Sequence, residues 1–351
     1  MQRPDLSNID PIIVEYIEYL EKKAGFRQQR AVSTFSEAHE LAPERASEAL
    51  PAEHETTINI ITVSQNGLAK RTLRHLYTRQ HRGGMGMFGI DIDAPDYPTI
   101  LSQADENQNL LLFTSRARVF RLPLNMITSV PVFDRGSVIT ERLAFEPDER
   151  LVAVLPEQAR GYVALTSESG RVRSLRHHLF GEHMKPGTAV FKYEEFGRLA
   201  CACWTPGDAE LFLVTQQGMG IRFAEKAISP QGDQGIRLSA DDKVISITSI
   251  YPDSGVFIIS SDGRGTIRQM SGFAANKSPG GSGKIAIKSS KVIGAVAIEP
   301  NDDLFIISHL GKMIRFPADE VPPTEGVVQG VNCMGLRGDE VVALMKSGPI
   351  Y

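Results

Sequence analysis

Six short apolar runs recur along this chain, each closed by a polar turn. They are Ile60-Ile61-Thr62-Val63-Ser64, Leu111-Leu112-Phe113-Thr114, Val163-Ala164-Leu165-Thr166-Ser167, Leu211-Phe212-Leu213-Val214-Thr215, Val256-Phe257-Ile258-Ile259-Ser260 and Leu304-Phe305-Ile306-Ile307-Ser308. Each ends on Ser or Thr and is followed by a turn residue: Gly67, Ala117, Gly170, Gly218, Gly263 and Gly311. The steps between turn residues are 50, 53, 48, 45 and 48 residues. A near-constant period of this size is the mark of a repeat architecture. Apolar runs of four to six residues bounded by Gly, Asp, Asn and Pro predict strands rather than helices from Thr57 onward. After each turn comes a second strand with Arg or Lys, then a further strand such as Val244-Ile245-Ser246-Ile247 or Val341-Val342-Ala343-Leu344.

Two hairpins per repeat predict a four-stranded unit. One such sheet cannot bury both of its faces, whereas six arranged radially bury each against the next. The last repeat stops at Tyr351 without a capping element, which favours a closed ring. The expected fold is all-β, a six-bladed propeller-like disc over residues 56–351.

Residues 1–55 differ in character. Asp10 caps and Pro11 starts a predicted helix over 10–24, with Gly25 at its end and Ile13, Tyr16, Ile17 and Leu20 on one face. That face predicts a docking or dimerising helix. An Ala/Glu-rich acidic linker follows to Glu55. This segment holds 6 Lys and Arg against 11 Asp and Glu, while residues 56–351 hold 32 against 31. The repeat region is thus near neutral, so any polyanion surface must come from local clustering. No run of 18 apolar residues predicts a membrane span. Three cysteines make no disulfide framework, and the start of the chain lacks an apolar signal segment, so the cytoplasm is the expected compartment.

Gln80-His81-Arg82-Gly83-Gly84-Met85-Gly86 resembles the Gln-Arg-Arg-Gly-Gly-Lys/Arg-Gly box in the C-terminal domains of the DNA gyrase and topoisomerase IV A subunits. Gly67-Leu68-Ala69-Lys70-Arg71-Thr72 and the six repeats resemble that family's blades, and the likeness covers residues 57–351. The resemblance implies a β-pinwheel, a propeller relative with its own strand connectivity, that binds duplex DNA on its outer rim without sequence preference and serves beside a topoisomerase subunit on the nucleoid. His81 and Met85 stand where the box has basic residues. Phosphate neutralisation supplies most non-specific affinity, so this departure weakens the case for tight wrapping. That family's cleavage domain uses an adjacent Arg-Tyr pair. None occurs in this sequence, so the chain is expected to be the wrapping module without the cleavage domain.

The candidate DNA contacts fall in clusters. Lys70, Arg71, Arg74, Arg79 and Arg82 are joined by Gln80, Gly83, Gly84 and Gly86 of the box. Arg116, Arg118 and Arg121 form a second cluster, and Arg171, Arg173 and Arg176 a third. Lys284 and Lys288, with Lys277 and Lys291, form a fourth around a Ser-Pro-Gly-Gly-Ser-Gly turn. Catalytic and metal-binding constellations are missing. Cys201 and Cys203 have no completing ligands. Gly280-Gly281-Ser282-Gly283-Lys284 puts Ile285 where a phosphate loop needs Ser or Thr. No cofactor is expected. The reading is a non-catalytic DNA-binding disc; the alternative is a protein-interaction propeller that has lost DNA wrapping.

Overall fold

The computed structural model describes residues 50–348. The chain divides into two compact units, Met1–Ser47 and Glu48–Tyr351. The expected helix over 10–24 and most of the acidic lead-in lie outside the described residues.

The described unit is a ring of six antiparallel blades. From the centre outward, blade 1 is built of Pro98–Asp105, Ile58–Ser64, Leu68–Leu73 and Ser137–Val138; blade 2 of Leu151–Pro156, Asn109–Thr114, Arg118–Pro123 and Thr188–Ala189. Blade 3 takes Leu199–Thr205, Tyr162–Ser167, Arg171–Arg176 and Asp233–Gln234; blade 4 takes Val244–Ile250, Glu210–Thr215, Met219–Ala224 and Lys284–Ile285. Blade 5 takes Val292–Ile298, Gly255–Ser260 and Arg264–Gln269, edged by Pro323–Thr324 and Val331–Asn332. Blade 6 takes Val341–Ser347, Asp303–Ser308, Lys312–Pro317 and Met87–Phe88.

The connectivity differs from two hairpins per repeat. Only the hairpin of long strands is local. The outermost strand of each blade comes from the following repeat, which crosses back over its neighbour before returning to lay its own inner strand. Blade 6 takes its outer strand from the first repeat, with Met87 opposite Met313 and Phe88 opposite Lys312. The pinwheel is thus closed by strand exchange between the two ends of the repeat region.

The apolar runs are continuous because each middle strand is buried on both faces, and alternate residues serve different interfaces. In blade 1, Ile61 and Val63 pack with Leu110, Leu112 and Phe120 of blade 2, while Ile60 packs with Phe305, Ile307 and Met313 of blade 6. Leu111 and Phe113 face Val163 and Leu165 of blade 3. Ala164 and Val172 meet Leu211, Leu213 and Phe223; Phe212 and Val214 meet Val256, Ile258 and Phe273; and Phe257 and Ile259 meet Leu304, Ile306 and Phe316. Each of these fully buried Leu, Ile or Phe side chains contributes about 1.5–3 kcal/mol by leaving water.

The Ser or Thr that ends each run closes the hairpin. The N–H groups of Leu68, Arg118, Arg171, Met219 and Lys312 donate to the hydroxyls of Ser64, Thr114, Ser167, Thr215 and Ser308 at 3.0–3.2 Å. In blade 5 the Asp262 carboxylate takes that role for Arg264 N–H, at 3.1 Å. The turn residue itself sits at positive φ, including Ala117 at 57°.

A second recurring glycine lies where the chain crosses to the outer strand: Gly86, Gly136, Gly187, Gly232, Gly283 and Gly330 each precede one. A Cβ at Gly136 would lie 2.0 Å from the Ala69 carbonyl oxygen, and one at Gly86 2.6 Å from that of Met313. The contact is with rigid backbone, so the crossing requires glycine. Gly136→Ala is expected to cost about 3 kcal/mol through overpacking. Gly338→Ala, at φ 64° with nothing within 4 Å, is expected to cost only the roughly 1 kcal/mol of the left-handed conformation. Equilibrium unfolding of the two variants checks the difference.

Candidate nucleic-acid interface

The second strand of each hairpin carries the basic residues singled out in the sequence, and most of them hold the blades together. Four residues after the turn residue stand Arg71, Arg121, Ser174, Arg222, Ile267 and Arg315. Arg222 donates from Nε to Glu210 Oε2 at 2.5 Å and from Nη1 to the Met270 and Phe273 carbonyls at 2.6 and 3.1 Å. Those carbonyls belong to a 3-10 turn, Met270–Gly272, and its exit in the next blade. Arg315 makes the same connection: Asp303 Oδ2 at 2.7 Å, and the Arg74 and Tyr77 carbonyls of blade 1 at 3.1 Å each. Arg71 donates to the Ile127 carbonyl at 3.0 Å, at the end of the blade 2 turn Leu124–Met126. Ser174 does so in small form, donating to Glu225 at 2.6 Å. The pattern repeats because a 3-10 turn and its exit hold two carbonyls close together with acceptor capacity to spare, and a guanidinium held by a carboxylate at its root reaches both at once.

The closing seam between blades 6 and 1 concentrates these pairs. Glu53 accepts from Arg74 Nε at 2.9 Å and lies 2.7 Å from Arg315 Nη2. Asp303 binds Arg315, and Arg79 Nε at 2.9 Å. Burial alone would raise the Glu53 pKa, but hydrogen bonds and charge from Arg74 and Arg315 outweigh it and hold the carboxyl below its usual range. The residues just ahead of the first strand are therefore fastened to the disc by an ion pair.

Two of the expected DNA contacts are buried, which corrects that expectation. Lys70 is 0% exposed, and its Nζ donates to the Pro131 carbonyl at 3.1 Å and to those of Val132 and Asp134. Burial pushes its pKa down to about 8, with Asp134 opposing. Arg74 is 4% exposed and is spent on Glu53, Ser347 and the Gly348 carbonyl. Their positions suit a buried donor because loop carbonyls converge there. Arg71, Arg79, Arg118, Arg121 and Arg173 are half-buried and already bonded. Arg118 binds Glu149 and the Ala144 carbonyl, both at 2.8 Å; Arg121 binds Glu157 at 2.9 Å; Arg173 binds the Val190 and Pro230 carbonyls at 2.8 and 3.1 Å. Arg116 and Arg171 are half-exposed, lying over the rings of Tyr193 and Phe196. Arg176, over Tyr162, is exposed, as are Lys284 and Lys288.

The box lies along the seam. Gln80 N–H donates to the Arg315 carbonyl and Gly83 N–H to the Cys333 carbonyl, while Gly84 O accepts from Gly335 N–H, all at 2.8 Å. Its glycines therefore fasten the ring. Arg82 is exposed but bent onto the protein, with Nε on the Glu320 carbonyl at 2.8 Å and Nη1 on that of Asn332 at 3.1 Å. Glu320 also accepts from Arg82 N–H and meets His81 Nδ1, both at 2.8 Å.

Among the described residues no group of three or more His, Cys, Asp or Glu is placed to hold a metal ion. Cys201 and Cys203 pack against the blade 3–4 core, and burial raises the pKa of both. Trp204 packs with the blade 2–3 core and donates to the Pro156 carbonyl at 2.7 Å. The inner strands surround a central space of about 1070 Å³ lined mainly by aliphatic side chains. No described helix is long and apolar enough to cross a membrane.

Residues 59–97, 108–132, 209–250 and 302–347 match the family model described as DNA gyrase C-terminal domain, beta-propeller. The DNA gyrase A subunit of Mycolicibacterium smegmatis (strain ATCC 700084 / mc(2)155) is 26% identical over 303 residues, 82% of this chain and 36% of that protein. The DNA gyrase A subunit of Escherichia coli (strain K12) is 28% identical over 300 residues, 82% of this chain and 34% of that protein. The chain thus spans about a third of the length of these relatives. The solved DNA gyrase A C-terminal domain superposes with a TM-score of 0.73 at 19% identity, over 82% of this chain and 99% of that one. The C-terminal domain of DNA topoisomerase IV superposes with a TM-score of 0.59 at 18% identity, over 84% and 94%. The disc is a six-bladed β-pinwheel. The chain is similar to the DNA gyrase A C-terminal domain in sequence and in fold.

The interblade role of the arginines was missed in the sequence, although a signal exists: Glu210 and Asp303 open the strands that pair with those of Arg222 and Arg315. Replacing Arg222 by Met strands Glu210 and the Phe273 carbonyl, while the Met270 carbonyl keeps the Phe273 N–H, and is expected to cost about 3 kcal/mol in denaturant unfolding. Lys70 gives a pH signature. The folded chain releases its proton near pH 8 and the unfolded chain near 10.5. Between those values the unfolded state binds more protons, so raising pH favours folding. The stability difference between wild type and Lys70→Met is expected to shift in favour of wild type across that window, and to be flat from pH 6 to 7.

Proposed function

We propose that the disc binds duplex DNA through its outer rim, without reading sequence and without catalysing a reaction, as an accessory module to a type II topoisomerase in the cytoplasm on the nucleoid. Kinship with gyrase A C-terminal domains supports this, and one observation carries it. The exposed cations Arg176, Lys284 and Lys288 have no carboxylate partner among the described residues, unlike the interblade arginines. Free cations of this kind gain most when counterions leave a phosphate backbone. The contacts would be to phosphates, with little discrimination among bases. The reduced set of free cations and the folded-down Arg82 favour binding or bending over tight wrapping.

A second reading is favoured by a different recurrence. Leu76, Met126 and Leu179 are 46%, 43% and 43% exposed and lie in the 3-10 turns of three successive blades. An apolar row of that kind suits a protein partner. The two readings separate by titrating unrelated duplexes of equal length against the chain at several salt concentrations. DNA binding predicts equal affinities for all sequences and a steep fall in log affinity with log salt. Absence of any binding at low salt overturns it and leaves the protein-partner reading.

A further inference from the structure

The loop ahead of the outer strand of blade 4 is a structural copy of the box. Asn276 N–H donates to the Arg222 carbonyl at 2.6 Å, as Gln80 does to Arg315. Gly280 N–H donates to the Gly235 carbonyl, and Gly281 O accepts from Arg237 N–H, both at 2.8 Å, in the places of Gly83 and Gly84. A Cβ on Gly283 would lie 2.5 Å from the Gly220 carbonyl oxygen, as one on Gly86 would lie 2.6 Å from that of Met313. The sequences agree in form: Gly83-Gly84-Met85-Gly86 against Gly280-Gly281-Ser282-Gly283. The outer strands that follow also correspond, so Lys284 stands where Met87 does.

Their charges are opposite in balance. Residues 80–97 hold Arg82 against Asp91, Asp93 and Asp96. Residues 274–291 hold Lys277, Lys284, Lys288 and Lys291 with no Asp or Glu. Lys277, Lys284 and Lys288 are exposed and meet no carboxylate among the described residues; Lys291 pairs with Glu340. At the root of this loop, Arg268 lies 5.7 Å over the Phe273 ring, 5% exposed, with Nε and Nη1 buried and without hydrogen-bond partners. Neighbouring blades put a neutral side chain at that place in the strand, Phe223 or Phe316. With two of its three nitrogens unpaired, this guanidinium adds positive potential beneath an already cationic loop, with the Glu325 carboxylate opposing it in part.

The geometry points to the blade 4 rim, Lys277, Lys284 and Lys288 around Gly280–Gly283, as the principal phosphate-binding sector for duplex DNA, with the box at the seam reduced to closing the ring. This rests on the reading of the disc as a duplex binder. The test compares wild type, the triple variant Lys277→Gln/Lys284→Gln/Lys288→Gln and Arg82→Gln by fluorescence anisotropy on a labelled duplex across salt concentrations, with thermal melts as a folding control. The triple variant is expected to melt like wild type, since its three side chains are exposed and pair with no carboxylate among the described residues. It is expected to bind roughly a hundred-fold more weakly near 0.1 M salt and to reduce the log–log salt slope by about 2–3, at about 0.9 for each phosphate no longer neutralised. Arg82→Gln is expected to change affinity less than about threefold, because at most one phosphate loses its cation. If wild type binds, the triple variant matches it and Arg82→Gln is the weak binder, the sector assignment is overturned while DNA binding stands. If wild type itself fails to bind at low salt, both fall.

Discussion

Every middle strand of this protein must be covered on both faces, and only a closed ring meets that requirement at all six positions. A free sheet would expose Ile60 on one side or Ile61 on the other, and neither side chain has any polar alternative. Strand exchange adds backbone to that closure. Passing the outer strand back one blade joins neighbouring repeats by a β-ladder as well as by packed faces, and Met87–Phe88 on Lys312–Met313 is the ladder that joins the two ends of the repeat region. The crossing glycines follow from the same requirement. At Gly86, Gly136, Gly232, Gly283 and Gly330 the returning chain passes directly over a carbonyl of the neighbouring blade, where no side chain fits, and at Gly187 it passes over the Arg118 guanidinium.

Closure also sets the electrostatics. Apolar packing between blades is non-directional and leaves their relative register loose. The arginine bridges supply the direction: a guanidinium rooted on Glu210 or Asp303 reaches a fixed pair of carbonyls in the next blade. A near-neutral disc with many basic residues is the natural outcome, because a large share of those charges is neutralised internally. Glu53 extends this to the entering chain, filling the place between Arg74 and Arg315 at the seam.

What burial alone decides is therefore legible in the sequence, and what direction decides is not. Runs such as Phe257-Ile258-Ile259 announce a doubly buried strand, and the Ser or Thr with its glycine announces the hairpin, so the blade number and period could be read. The outer strands could not, since two residues such as Ser137–Val138 carry no periodicity. Nor could the fate of the cations. An arginine on a strand reads the same whether it points at a carbonyl of the next blade or at solvent, and Lys70, placed beside Arg71 in the densest basic cluster, is the most deeply buried cation of that cluster. What distinguishes the two cases is the company kept: Lys277, Lys284 and Lys288 lie in a stretch without any acid, whereas Arg118, Arg121, Arg222 and Arg315 have carboxylates brought to them by neighbouring strands and loops.

The box illustrates how one backbone device serves two ends. Its last glycine, Gly86, recurs at the crossing of every repeat, whatever the rim does, so that glycine says that a strand is being handed to the previous blade. Its side chains are free to vary, and here they have turned inward: Arg82 caps carbonyls of Glu320 and Asn332, and His81 meets the same glutamate. A polyanion lying against the rim has to find cations not already engaged, and the loop that repeats the box backbone in blade 4 offers them on the same scaffold. Glycine pattern and charge pattern are thus separate pieces of information, the first reporting how the ring is closed and the second where a phosphate backbone gains by resting on it.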